Sequence, residues 1–121
     1  MHLAEKNVIG RVSGEPTLHS NRSDVKFCLL HVQTNDKYYS KMKQSFMDNV
    51  LRHKVVIYGK RANEWFSALG HGDIIAVSGK LQGFRRRTDG GEEYEEQIVV
   101  SDGESRQGII RLISKNPKAE R

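Results

Sequence analysis

Apolar residues recur at strand spacing along most of this 121-residue chain, and helix spacing occurs in one convincing stretch. KRANEWFSALGHGD places four apolar residues at i, i+3, i+4 and i+7, namely Ala62, Trp65, Phe66 and Leu69. This spacing predicts the buried face of a helix of two to three turns, and Gly70 supplies its stop. A chain with one short helix among many strands is confined to mainly β architectures.

Five strand patterns surround that helix. KNVIGRVSG, DVKFCLLHVQT and HKVVIYGK precede it, and DIIAVSGKLQGFRRR and YEEQIVV follow it. Breakers at GEP, a polar loop at HSNRSD and a hairpin turn at TDGGEE separate the patterns. Five strands with a helix between the third and the fourth is the order of an OB-fold, a five-stranded Greek-key barrel. The sequence therefore predicts an all-β OB-fold with one short helix.

The length favours one folded domain. The strand patterns end near residue 102, so we expect an OB-fold domain over residues 1–102 and a partly flexible C-terminal extension over 103–121. Within the extension, GIIRLIS is compatible with an extra strand or a short helix, whereas KNPKAER is typical of a mobile end.

Charge favours an anionic partner. Lysine and arginine number 20 against 15 aspartates and glutamates, which gives a net charge of +5. The positive residues concentrate in residues 37–61 and 80–87, whereas an acidic run near residues 92–96 reads as the soluble edge of a hairpin.

Other features narrow the function classes. Cys28 is alone and is expected to be buried, and the five histidines show no ligand spacing, so neither a metal site nor a cofactor is predicted. No apolar run suits a signal peptide or a membrane span, which favours a cytoplasmic location. Catalytic motifs such as GxSxG or HExxH are missing from the sequence, so we expect no enzyme, a nuclease included.

Two predicted strands carry the same unusual face. In HKVVIYGK, Val55 and Ile57 point to one side with His53, which is expected to be partly buried and hydrogen-bonded. The opposite face of this strand carries cationic side chains and an aromatic ring, and one face of the fourth predicted strand carries the same kinds of side chain. The residues concerned are Lys54, Val56, Tyr58 and Lys60 on the third strand and Ser78, Lys80, Gln82, Phe84 and Arg86 on the fourth.

Such a face suits a single nucleic-acid strand, because exposed bases stack on aromatic rings while cations follow the phosphates. Trp65 differs from these rings, since it belongs to the apolar stripe of the helix and is expected to plug the barrel.

The block HKVVIYGKRANEWFSALGHGDIIAVSGKLQG closely resembles the centre of the bacterial-type single-stranded DNA-binding protein (SSB) family. NVIG, EP and TNDKY add weaker matches, and the resemblance covers roughly residues 6–100. It implies an OB-fold, no enzymatic activity, and single strands wrapped over aromatic and basic surfaces. It also implies a homo-oligomer, with a tetramer favoured over a dimer.

The resemblance assigns roles to individual residues. Tyr38 takes the place of a stacking tryptophan, and Tyr58 that of the stacking phenylalanine before GK. Lys54 and Lys60 match cations that contact phosphates.

Arg52 replaces the usual tryptophan before the histidine, and Arg85 to Arg87 replace another aromatic residue. These changes predict a steeper loss of binding with salt, with Phe84 as a shifted stacking platform. Residues 39–51 match poorly, which predicts an altered hairpin. The family's acidic tail has no counterpart in PKAER, which is compatible with a phage, plasmid or mobile-element version.

The sequence thus predicts a protein that binds single-stranded DNA with little sequence preference in replication, recombination or repair, with RNA still open. The stacking residues are Tyr38, Tyr58 and Phe84, and the phosphate-binding residues are Arg52, Lys54, Lys60, Lys80 and Arg86. The alternative is an accessory OB-fold protein of the primosome or recombination-mediator type, which acts mainly through replication or recombination proteins.

Overall fold

Seven strands and one α-helix are formed by the residues that the computed structural model describes, which are 4–101 and 108–117. In chain order they are β1 (Glu5–Val12), β2 (Thr17–Ser20), β3 (Lys26–Ser40), β4 (Ser45–Tyr58), α1 (Lys60–Ala68), β5 (Ile74–Thr88), β6 (Gly91–Ser101) and β7 (Ile109–Ser114).

Five of the strands close a ring in the order β1-β3-β4-β6-β5, because β5 also pairs with β1. β4 and β6 run parallel, from Val55 beside Ile98 to Tyr58 beside Ser101, and the other pairings are antiparallel. The helix lies between the third and fourth strands of the ring in chain order. The predicted OB-fold is therefore confirmed, with β2 added beside β3 and β7 added beside β5.

The inner side of the ring is the hydrophobic core. Period-two alternation places Val55 and Ile57 inward, as expected, and the same alternation buries the inward residues of the neighbouring strands. Cys28 is also inside, as predicted, and burial raises the pKa of its thiol to about 11, so the thiol stays protonated at neutral pH. The core members are Val8, Val12, Cys28, Leu30, Val32, Val55, Ile57, Ala62, Leu69, Ile75, Val77, Ile98, Val100 and Ile110.

Helix α1 rests on this core by one side. Gly59 adopts φ 89° as the chain turns from β4 into the helix, a conformation that favours glycine. Ala62 is buried and Trp65 is half-buried against the core, which confirms the expected role of the tryptophan. Phe66 was predicted on the same stripe, but it is 39% exposed because it lies at the edge of the face that the ring covers.

A buried carboxylate fastens the C-terminal strand. Asp73 is 0% exposed, and its oxygens accept hydrogen bonds from the backbone N–H of Gly70 (2.9 Å) and of Asn116 (2.8 Å) and from Lys115 Nζ (3.0 Å). Burial alone would raise the pKa of Asp73, but the two N–H groups and the lysine outweigh it, so this pKa lies below its usual value. Lys115 and Asn116 therefore form an anchor for β7.

Part of the predicted C-terminal extension is held against the sheet. GIIRLIS forms β7, which matches the strand alternative, and its pairing with β5 makes it part of the sheet. Lys115 and Asn116, the first residues of the segment expected to be mobile, are held by hydrogen bonds. Residues 103–107 and 118–121 of the expected extension lie outside the described residues.

Two hairpins extend beyond the ring. The long arm (residues 34–51) continues the β3–β4 pairing to a turn at residues 41–44, and the short arm (residues 82–97) continues the β5–β6 pairing. The long arm is regularly paired, with Asp48 beside Lys37 and Asn49 beside Asp36, and the expected alteration of the family's hairpin stays a prediction. No helix in the described residues is long and apolar enough to span a bilayer.

Candidate nucleic-acid interface

Three aromatic rings lie side by side across the outer face of β2, β3 and β4. The register places His19 beside Phe27 and Phe27 beside Tyr58. The ring centroids are 5.4 Å apart for His19 and Phe27, nearly parallel at 24°, and 5.5 Å apart for Phe27 and Tyr58, tilted by 45°. We call these three residues the aromatic row. They offer flat surfaces to bases outside the core.

The row borders a shallow depression of about 270 Å³. Tyr58 is half-buried at its wall and points away from the inner side that Val55 and Ile57 occupy, as the alternation of HKVVIYGK predicted. The other residues that line the depression are His19, Phe27, Leu29, Lys54, Val56 and Gln97.

Two members of the row, Phe27 and His19, were not predicted from the sequence. Phe27 could have been found, because it neighbours the buried Cys28 on an alternating strand and therefore points outward. His19 lies in a segment interpreted as a polar loop, and only the pairing of the four-residue β2 with β3 places its ring beside Phe27.

Several predicted cations share the outer face with Tyr58. Lys54 and Arg52 follow it at alternate positions of β4. Lys80 pairs with Val99, and Val99 pairs with Val56, so alternation and register place Lys80 on this face as well. Lys60 differs, since it is the exposed first residue of α1 and lies beyond the end of β4.

The remaining predicted residues are on the short arm. The backbone of Phe84 pairs with Glu95 and that of Arg86 with Glu93, but the side chains of Phe84 and Arg86 lie outside what the structure describes. Their assigned roles in stacking and phosphate binding stay predictions.

The short arm sets its arginines opposite its glutamates. Arg87 pairs with Glu92, and Arg85 Nη1 lies 3.5 Å from a carboxylate oxygen of Glu92, with both side chains exposed. The acidic run, expected as a soluble hairpin edge, therefore lies across the hairpin from the arginine run. The steep salt dependence expected from Arg85 to Arg87 stays a prediction.

Aromatic residues also occupy the tip of the long arm. Tyr39 and Phe46 pair across the hairpin on the same face as Tyr58, and their ring centroids are 5.4 Å apart in an edge-to-face arrangement. Tyr38, the predicted stacking residue, pairs with Met47 on the opposite face of the arm. The structure therefore separates Tyr38 from Tyr58 and brings Tyr39 and Phe46 onto the face of the aromatic row.

A cleft of about 320 Å³ opens at the base of the two arms, just beyond the point where β4 and β6 stop pairing. Its nine lining residues are mostly polar, and three are cations; they are Lys6, Arg52, His53, Lys54, Leu81, Tyr94, Glu96, Gln97 and Ile98.

Two histidines near this cleft have lowered pKa values. His53 is half-buried and hydrogen-bonded to Thr34 Oγ1 at 3.0 Å, as expected from the sequence. Burial and then the charge of Lys6 lower its pKa. The pKa of His31 is lowered by burial and then by Arg52 and Lys54. Among the described residues, no three His, Cys, Asp or Glu side chains come together to hold a metal ion.

The chain is similar to known single-stranded DNA-binding proteins in sequence and in fold. The chain is similar to a single-stranded DNA-binding protein of Aquifex aeolicus, with 25% identity over 116 residues, 93% of this chain and 71% of that protein. Two solved structures share its fold at lower identity. One is the Plasmodium falciparum SSB complex with single-stranded DNA (TM-score 0.78, 19% identity, 94% of this chain and 97% of that chain). The other is a small single-stranded DNA-binding protein of Streptomyces coelicolor (TM-score 0.68, 17% identity, 93% and 96%).

A family model matches most of the chain. It spans residues 5–105, from the start of β1 past the end of β6, and therefore includes all five strands of the ring, the helix and the aromatic row. This chain belongs to the single-strand binding protein family.

Proposed function

We propose that this protein binds single-stranded DNA with little sequence preference, without catalysis, in replication, recombination or repair. The observation that carries the proposal is the aromatic row on the outer face of the ring, with Lys54 two residues from Tyr58 on the same strand face. Family membership and the Aquifex relative support it. We propose that the protein acts in the cytoplasm, as expected from the sequence.

The chemistry of the row favours an unpaired strand. Bases of a single strand expose both faces to aromatic rings, whereas a duplex stacks its bases on one another. Every base has such a face, so stacking alone gives little sequence preference. Because a binding surface can be identified on the ring itself, an accessory role that depends mainly on protein partners is not favoured.

A fluorescence anisotropy titration tests the proposal. A labelled mixed-sequence single strand should bind at low salt, and a duplex of the same sequence should bind much more weakly. With three to four phosphates contacted, the slope of log affinity against log salt should be about −2 to −3. Equal affinity for the two forms would contradict the proposal, and an RNA strand of the same sequence measures the preference between DNA and RNA.

We further propose that the bound strand follows the outer face along the long arm. Tyr58 and Phe46 are twelve residues apart on β4, so roughly 40 Å separates the aromatic row from the tip at the usual rise per strand residue. Lys54 and Arg52 lie between them on the same face. A strand on this path would meet rings at both ends and cations between them.

Two adjacent tyrosines provide a matched test of this path. Tyr39→Ala should weaken binding of a 20-nucleotide strand about 5- to 30-fold through the loss of one stacked base. Tyr38→Ala removes the same side chain from the opposite face and should change the affinity less than twofold. The two titrations are compared under identical salt. A larger effect of Tyr38→Ala would show that the strand follows the other face of the arm.

Assembly with further copies of the chain is also proposed. Ile9 and Ile109 are 67% and 64% exposed on the outer face of β1, β5 and β7, beside Ala76. Among the described residues, β1 pairs with β3 only at Arg11 and Val12, which leaves most of that edge open. An exposed apolar face beside an open strand edge fits a second copy. The resemblance to the family favours a tetramer over a dimer. The mass in solution, compared with 13.8 kDa for one chain, measures this directly.

A further inference from the structure

One carboxylate stands among the cations of the cleft at the base of the arms. Lys6 comes from β1, Arg52 and Lys54 come from β4, and Glu96 comes from β6. Glu96 Oε2 lies 3.8 Å from Lys6 Nζ. Among the described residues that line the cleft, Glu96 is the only acid.

The contact between Glu96 and Lys6 is easily exchanged. Both side chains are partly exposed, and 3.8 Å is long for a charged hydrogen bond, so water screens the pair. Among the described lining residues, three cations share the cleft with this one carboxylate, so positive charge exceeds negative charge there. An incoming anion would therefore find a site that a weakly held carboxylate already occupies in part.

We propose that Glu96 is an internal competitor of the DNA phosphates. Its carboxylate partly neutralises Lys6 in the free protein and repels a phosphodiester that enters the cleft toward Arg52 and Lys54. This inference rests on the proposed binding of single-stranded DNA and adds a regulation of that site. Glu96 sets the affinity below the value that the three cations would give alone, and it returns to Lys6 when the strand leaves.

Neutralising the competitor should tighten binding. We expect Glu96→Gln to raise the affinity for a single strand about three- to tenfold at low salt. The slope of log affinity against log salt should become steeper by about 0.7, which corresponds to one more phosphate contact. Glu64→Gln is the matched control, because Glu64 is exposed on α1 and its removal changes the net charge equally. This control should change the affinity less than twofold.

A second variant identifies Lys6 as the partner. Lys6→Gln should weaken binding, and Glu96→Gln added to it should bring a smaller gain than in the natural chain, because the contact it releases is already gone. A thermal melt of each variant checks that it folds. The affinities of Lys6→Gln with and without Glu96→Gln measure the coupling between the two residues, independently of the Glu96→Gln variant alone.

The outcomes separate the two proposals. If the natural chain fails to bind single strands, the proposed function fails. If it binds, and Glu96→Gln gives no gain, a loss, or a gain equal to that of Glu64→Gln, the proposed function stands and the competitor role of Glu96 is overturned. An undiminished gain in the Lys6→Gln background would likewise overturn the assignment of Lys6.

Discussion

Replacing Tyr58 with alanine should weaken the binding of a ten-nucleotide single strand by about 10- to 100-fold, because one stacked base is worth roughly 1–3 kcal/mol. The substitution removes the outermost ring of the aromatic row on β4, and Phe27 loses its neighbour at 5.5 Å. Tyr58 is half-buried on the outer face, outside the core, so the fold should persist. Anisotropy titration at low salt measures the loss.

Two further variants are controls for the Tyr58→Ala result. Tyr58→Phe keeps the ring and should retain affinity within about threefold, since stacking needs the flat face and not the hydroxyl group. Phe66→Ala deletes a partly exposed aromatic side chain from α1, which contributes no ring to the aromatic row, and should leave affinity unchanged. A folded Tyr58→Ala variant with natural affinity would remove the aromatic row from the binding surface.

Asp73→Ala should lower the free energy of unfolding by about 3 kcal/mol. The change leaves the N–H groups of Gly70 and Asn116 without their acceptor in a buried place and frees Lys115 from its ion pair. Urea denaturation followed by circular dichroism measures the difference. Asp89→Ala, at the exposed turn of the short arm, is the control and should change stability by less than about 0.5 kcal/mol.

Low pH should also remove the contribution of Asp73 to the free energy of unfolding. The pKa of Asp73 lies below its usual value of 3.8, so its ionised form stabilises the fold at every pH above that value. As the pH falls below 3.8 toward the lower pKa of the folded state, the carboxylate becomes protonated and the stabilisation is lost. The gap in stability between the natural chain and Asp73→Asn should therefore be constant from pH 7 to 5 and shrink below pH 4. A gap independent of pH would show that hydrogen-bond geometry alone stabilises the anchor.

The ring strands could be predicted because each has a buried side. Alternation in HKVVIYGK placed Val55 and Ile57 inward and Tyr58 outward, and the single stretch of helix spacing located α1. These patterns reflect burial, and burial is what a sequence records most directly. The fold followed from the order of such patterns.

The long arm could not be predicted in this way. Both faces of the long arm meet solvent, so its residues show no apolar alternation, and the predicted strands stopped at Thr34 and began again at His53 although β3 and β4 run to Ser40 and from Ser45. The alternation of β3 could not be extended to distinguish Tyr38 from Tyr39, because the sequence does not show that the strand continues past Thr34. The resemblance to the family selected Tyr38, whereas pairing with Phe46 puts Tyr39 on the face of Tyr58. The proximity of Glu96 to Lys6 is likewise a product of ring closure between distant segments.

Ring closure also sets how the chain reaches its native state. The β3–β4 pairing joins neighbours across a four-residue turn, whereas β1 must find β5 from Glu5 to Lys80 before the circle is complete. Short loops close at lower entropic cost than long ones, so we expect the hairpin to zip early and the β1–β5 seam to form late. Refolding should therefore be slowed by weakening the hairpin, while changes at the seam should mainly accelerate unfolding.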